Sequence, residues 1–262
     1  MTGTIPHTGP ALSAHAVTLT FGGVTALDDV SIQVGHDELV ALIGPNGAGK
    51  SSLLNVFSGF YRPKAGSISF DGHDIGKWPV HRIARAGLAR TFQGTHLLAH
   101  MSVLDNILVG RYAHMKCGLP SAFAYFPFAH REEVEHRQIA EEIIEFLEIE
   151  HVRHQPVGTL GYGMRKRVDL GRALAMEPRV LLLDEPMAGM NGEEKEDLAR
   201  FILDVREARH IPVVLVEHDM GVVMDMADRV VVLNFGRKIA DASPRAVQQD
   251  EQVIAAYLGA KA

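Results

Sequence analysis

Only one cysteine, Cys117, stands in the 262 residues. It excludes an internal disulfide and a cysteine-based zinc site, and it suits a reducing cytosol. Cationic surplus is missing too. With 26 Lys and Arg against 32 Asp and Glu the net charge is −6, so there is no basic footprint and nucleic acid is not an expected partner. No apolar run reaches the roughly eighteen residues that a membrane-spanning helix needs. Residues 1–13 (MTGTIPHTGPALS) have neither the basic start nor the apolar core of a signal peptide and are expected to form a flexible tail. The 14 histidines are scattered without metal-ligand spacing, and no repeat or low-complexity tract occurs. What remains is an ordinary globular composition, long enough for one large α/β domain or a core with a smaller lobe.

The most informative stretch is Gly44-Pro45-Asn46-Gly47-Ala48-Gly49-Lys50-Ser51. It fits G-x-x-x-x-G-K-[ST], with an apolar strand-like run (Glu38 to Ile43) before it and a helix-compatible run (Ser52 to Ser58) after it. Glycines let the backbone wrap so that successive N–H groups point at phosphate oxygens. The helix that follows adds unpaired N–H groups and a partial positive charge. Lys50 is expected to reach the β- and γ-phosphates and the Ser51 hydroxyl to bind Mg²⁺.

Along the chain, His15 to Phe21 and Val30 to Val34 alternate as strands around a Gly22-Gly23 turn. A short strand spans Ser67 to Phe70, Pro79 opens a helix to about Ala86, and Leu88 to Gln93 reads as a strand. Helical spacing follows over Met101 to Met115 and Arg131 to Leu147, with Cys117 to His130 as a link. Leu97, Leu98, Phe123, Tyr125 and Phe126 are expected as lobe core or as a partner surface. Further helices are read at Met164–Met176, Gly192–Arg209 and Val222–Ala227. Between them lie strands at Val180–Leu183, Pro212–Val216, Arg229–Asn234 and Lys238–Asp241. Apolar strands alternating with helices mean a parallel sheet covered on both faces.

Polar residues end three of these strands: Gln93, Asp184-Glu185 and His218. In an open parallel sheet the strand C-termini face the ligand crevice, so they should converge on the phosphate loop. Asp184 can hold Mg²⁺ through its water shell, Glu185 can orient and deprotonate an attacking water, and His218 can donate to the γ-phosphate. Gln93 can touch the metal or the water. Phe21, alone, reads as a packing aromatic.

The order of phosphate loop, Gln93, LGYGM (Leu160 to Met164), VLLLDEP (Val180 to Pro186) and His218 resembles the ATP-binding subunit of an ABC transporter over about residues 14–245. The resemblance implies a P-loop NTPase (RecA-like) core with an antiparallel β subdomain and an inserted α-helical lobe. Residues 14–95 and 165–245 would form the two parts of the core, 96–164 the lobe, and 246–262 a C-terminal helical extension. Phe21 then takes the place of the aromatic that stacks on adenine. Gly44 through Ser52 bind ATP and Mg²⁺, and Gly161, Tyr162 and Gly163 bind the γ-phosphate held by a second ATP-binding subunit, head to tail. Phe21-Gly22-Gly23, Arg90-Thr91-Phe92-Gln93, Val103-Leu104-Asp105-Asn106 and Val253 to Gly259 look like the branched-chain amino acid importer subgroup. That implies membrane permeases and a periplasmic solute-binding protein as partners, and a place on the cytoplasmic face of the membrane. Importers of amides, urea or aromatic acids and lipopolysaccharide-export ATPases share parts of the pattern. A soluble ABC-type ATPase or a P-loop kinase are the rivals from other classes. Three positions depart from the family pattern: Gly161 for serine, Met164 for glutamine and Asn191 for aspartate.

Overall fold

The computed structural model describes residues 9–91, 94, 96–115 and 126–259. Its central sheet is built from apolar strands that need both faces covered: β3 (Leu39–Ile43), β7 (Val180–Asp184) and β8 (Val213–Val216) are buried at every residue. With β6 (Leu88–Arg90), β9 (Arg229–Asn234) and β10 (Arg237–Ala242) they form the order β10-β9-β3-β8-β7-β6. All neighbours are parallel except the β9–β10 hairpin. The parallel strands therefore end on one edge, and the residues after them share one crevice. A second, antiparallel sheet has the order β2-β1-β4-β5, from β1 (Leu12–Phe21), β2 (Val24–Val34), β4 (Ala65–Phe70) and β5 (His73–Asp74).

One face of the central sheet packs on that second sheet and on α1 (Lys50–Phe57), through Leu42, Leu53, Phe57, Ile68 and Val214. The other face packs on helices: α3 (Val103–Gly110), α4 (Phe126–Phe146), α5 (Tyr162–Leu174) and α6 (Gly192–Arg209). Ile107, Ile143 and Val168 of these helices share one apolar cluster with Leu181, Leu183 and Val213 of the sheet. The helical lobe thus has no separate core among the described residues. At Gly110 the α3 backbone passes so close to α5 that a Cβ would lie 2.2 Å from the Arg172 carbonyl oxygen. Remaining helices are α2 (Val80–Arg85), α7 (Met220–Met226), α8 (Pro244–Gln249) and α9 (Glu251–Gly259).

Several element limits differ from the sequence reading, for local reasons. β1 starts at Leu12, which pairs with Val34 and Phe70 and is fully buried, so the expected tail does not extend to residue 13. β6 stops at Arg90, whose guanidinium is drawn into an ion pair with Asp184, although the Thr91 N–H still donates to the Leu182 carbonyl. α4 starts at Phe126 within the expected link, because Pro127 falls in the first turn, where its missing N–H needs no partner. α5 and α7 start two residues early, on Gly161 and Asp219 as N-caps. Leu98 is exposed and Leu97 packs on the core. Phe123, Tyr125, Cys117, Gln93 and the Phe126 side chain lie outside the described residues.

Candidate active site

The phosphate-binding loop follows β3 and is pressed between two strands. A Cβ at Gly44 (φ +149°) would lie 2.1 Å from the Leu233 carbonyl oxygen, and one at Gly49 (φ +104°) would lie 2.7 Å from that of Ala26. Only glycine fits at these two positions. α1 then begins at Lys50 with no side-chain cap and no acidic residue in its first turn, so its N-terminal N–H groups stay available for an anion. The buried Lys50 ammonium donates to the carbonyls of Gly44 (2.7 Å) and Pro45 (3.1 Å). Burial lowers its pKa, and the nearby Glu185 and Asp184 carboxylates oppose that shift.

A hollow of about 300 Å³ is lined by Asn46 to Ser52, by Val24, Thr25 and Ala26 of β2, and by Glu185 and His218. The phosphate loop is therefore brought together with Glu185 and His218, whereas Asp184 does not line the hollow. Glu185 Oε1 and His218 Nε2 are 2.7 Å apart. Glu185 sits in the left-handed backbone region at φ +49°, a costly setting for a non-glycine residue.

Asp184 is buried behind the loop. Its Oδ2 meets the Arg90 guanidinium at 2.8 Å, and Arg90 also donates to Asn55 Oδ1 of α1 at 2.7 Å. Asp184 Oδ1 is buried with no hydrogen-bond partner, and Ser51 stands in the first turn of α1. This donor set fits a divalent cation carried by phosphates and held by one carboxylate and one hydroxyl. Among the described residues no cluster of three or more His, Cys, Asp or Glu offers a separate metal cage.

Gly161, Tyr162 and Gly163 do not line this hollow. They lie at the start of α5, against the loop after Glu185. A Cβ on Gly189 would touch the Tyr162 ring at 3.4 Å, and one on Gly163 would lie 2.4 Å from Glu194 Oε1. Glu194 and Asn191 form a capping box at the head of α6, so the Asn191 side chain is used as an N-cap. Phe21 is 46% exposed and stands edge-on to Tyr61, ring centroids 5.0 Å apart, at the turn that leads into Val24. Sequence reasoning missed Tyr61, Arg90, Glu217 and the β2 wall. The adjacent Phe60-Tyr61 after Gly59 was a legible signal; the others depend on tertiary pairing.

Against known proteins, residues 27–188 match the ABC transporter model and residues 237–262 the model for branched-chain amino acid ATP-binding cassette transporters. The chain is 38% identical to the high-affinity branched-chain amino acid transport ATP-binding protein BraF of Pseudomonas aeruginosa, over 95% of this chain and 98% of that protein. It is 36% identical to LivG of Escherichia coli, over 95% and 98%. Among solved structures it resembles an ATP-binding cassette of an ABC transporter in its ADP conformation, with TM-score 0.84 and 32% identity over 96% of this chain and 100% of that one. A nucleotide-free ATP-binding cassette gives TM-score 0.83 and 32% identity over 94% and 98%. The glycine-forced loop, the strand-end carboxylates and these matches have one reading: the chain belongs to the ABC transporter family of ATP-binding proteins, in its branched-chain amino acid division.

Proposed function

We propose that this protein is the ATP-hydrolysing subunit of an importer for branched-chain amino acids, working at the cytoplasmic face of the membrane. The observation that carries the chemistry is the Glu185–His218 pair, 2.7 Å apart, lining the same hollow as Lys50. The loop N–H groups, Lys50 and the head of α1 hold the ATP phosphates, and Phe21 supports the adenine. Asp184, Ser51 and Gln93 would hold Mg²⁺, which when bound neutralises charge on the phosphates. Glu185 accepts the proton of the attacking water, and His218 beside it donates toward the γ-phosphate. A second subunit, head to tail, adds its own residues equivalent to Gly161–Gly163 over this phosphate loop.

No described helix is long and apolar enough to cross a membrane. Membrane permeases are the partners through which hydrolysis would be coupled to transport. A groove of about 540 Å³ suits their docking: Phe60, Val109, Ala113 and Met176 give it apolar walls, and Arg90 joins it to Asp184. A periplasmic binding protein would deliver the solute. The test is reconstitution of the subunit with its permeases in vesicles, followed by labelled leucine, isoleucine and valine. ATP-dependent uptake of these solutes, abolished by Glu185→Gln, is expected. Uptake of an amide or aromatic acid in their place would overturn the solute, and uptake without ATP would overturn the function.

A further inference from the structure

The carboxylate of Glu217 has no part in the chemistry described above, yet it is buried, with only 4% of the residue exposed. A carboxylate is taken out of water only where something is gained by fixing it. Its two oxygens answer two backbone donors. Oε1 accepts from the Met187 N–H at 2.9 Å, and Oε2 accepts from the His218 N–H at 3.2 Å. Burial pushes this carboxyl above the usual range, and the two N–H donors pull it back.

These two bonds complete a clamp. The Glu185 N–H donates to the Val216 carbonyl of β8 at 2.9 Å, Pro186 has no N–H, and the Met187 N–H goes to Glu217. Every main-chain donor from 185 to 187 is thereby accounted for by β8 or by the residue that follows it. The left-handed turn at Glu185, at φ +49°, is held from both sides. A strained turn persists only where its surroundings over-determine it. The same carboxylate reaches the backbone of His218, and farther out Asp219 is tied to Lys195 of α6 at 2.7 Å.

We infer that Glu217 is a positioning residue for ATP hydrolysis: one carboxylate joins the loop carrying Glu185 to the loop carrying His218 and sets the 2.7 Å contact between those side chains. The residue does not touch the nucleotide hollow. Its loss should therefore impair turnover and spare nucleotide binding.

Glu217→Gln is nearly isosteric but turns an amide N–H₂ toward one of the two N–H donors. In the assembled transporter, kcat for ATP should fall at least tenfold while KM for ATP stays within twofold. Binding of a fluorescent ATP analogue to the full-length subunit should also stay within twofold. On a His218→Ala background the same change should cost less than it does alone, because the part of its effect that sets the Glu185–His218 contact is already lost and only the hold on the Glu185 turn remains. A kcat within twofold of the unaltered protein overturns the inference. So does a loss of kcat matched by an equal rise in KM, which is what general loosening of the fold would give. If the glutamine variant does not assemble, Glu217→Asp keeps the charge and withdraws the oxygens by one methylene, and the same thresholds apply to it.

Discussion

The two ends of β3 carry charge in opposite ways. At its N-terminal end Glu38 pairs with Arg229 at 2.6 Å, Arg229 also reaches Asp241, Lys238 pairs with Asp241 at 2.8 Å, and Arg206 pairs with Asp228 at 2.7 Å. Each cation there is answered by a carboxylate. At the C-terminal end Lys50 is answered by carbonyl oxygens, and Glu185 lies against a histidine. The hollow at the N-terminal end is also the larger, about 740 Å³ against about 300 Å³. Size therefore does not locate the site in this molecule. A lysine answered by carbonyl oxygens and a carboxylate against a histidine, set on a backbone in unusual conformations, do.

The largest expected effect strikes the C-terminal end. Glu185→Gln removes the proposed general base, and such groups contribute roughly 10²–10⁴-fold. Turnover of the assembled transporter should fall by about three orders of magnitude, with affinity for an ATP analogue within twofold. Retained turnover would move the base elsewhere and weaken the contrast between the two ends.

Next comes Arg90→Gln, which leaves Asp184 buried without its cation. Breaking a buried pair from one side costs about 3–5 kcal/mol. Urea unfolding should show that loss, and it should exceed the effect of any single change at the paired end of β3. A loss below about 1 kcal/mol, the usual worth of an exposed pair, would place Arg90 and Asp184 in a wetter setting than their burial indicates.

The contrast was only half legible in the sequence. The phosphate loop announced itself because its glycines, Lys50 and Ser51 are contiguous. Asp184, Glu185 and His218 followed because strand C-termini in a parallel sheet share an edge. Arg90 and Glu217 could not be read. Their partners are Asp184, 94 positions away, and the Met187 N–H, 30 positions away, so neither pairing leaves a local pattern. Element limits slipped where a cap or a first-turn proline mattered more than apolar periodicity, as at Gly161 and Pro127. The C-terminal helical extension was expected without its packing, since the buried Val253 of α9 shares a cluster with Ala41 and Ile43 of β3, far away in sequence.

A smaller effect is expected at Gly161, and it raises activity. A serine hydroxyl there would restore a hydrogen bond to charged phosphate, about 1.5–3 kcal/mol. The position accepts it: φ is −58°, and a Cβ meets nothing within 4 Å. Serine also caps a helix better than an uncapped start does. Gly161→Ser should increase ATPase turnover of the assembled dimer roughly tenfold. No change would remove Gly161 from the proposed shared site.

The smallest effect belongs to the paired end and tests whether it is structural only. Desolvation pushes the Glu38 carboxyl up, but the hydrogen bonds it accepts from Arg229 and the Gly35 N–H outweigh that and hold it below the usual glutamate range. A depressed carboxylate contributes stability that is present above its unfolded-state pKa and is lost as pH falls through its folded-state pKa. Arg229 stays protonated throughout, held up chiefly by its hydrogen bond with Glu38. Arg229→Met should therefore cost about 1–2 kcal/mol at pH 7, a charged hydrogen bond discounted for partial exposure. The cost should shrink below pH 4.5, where the Glu38 partner begins to protonate in the unfolded chain and then in the folded one. Urea midpoints at pH 7, 5 and 3 measure this, and kcat at pH 7 should stay within twofold. A cost that persists undiminished at pH 3 would assign the contribution to packing of the arginine stem instead of its charge. A fall in kcat would show that the two ends of β3 are not independent, because the strand that anchors the phosphate loop would then be transmitting what happens at its far end.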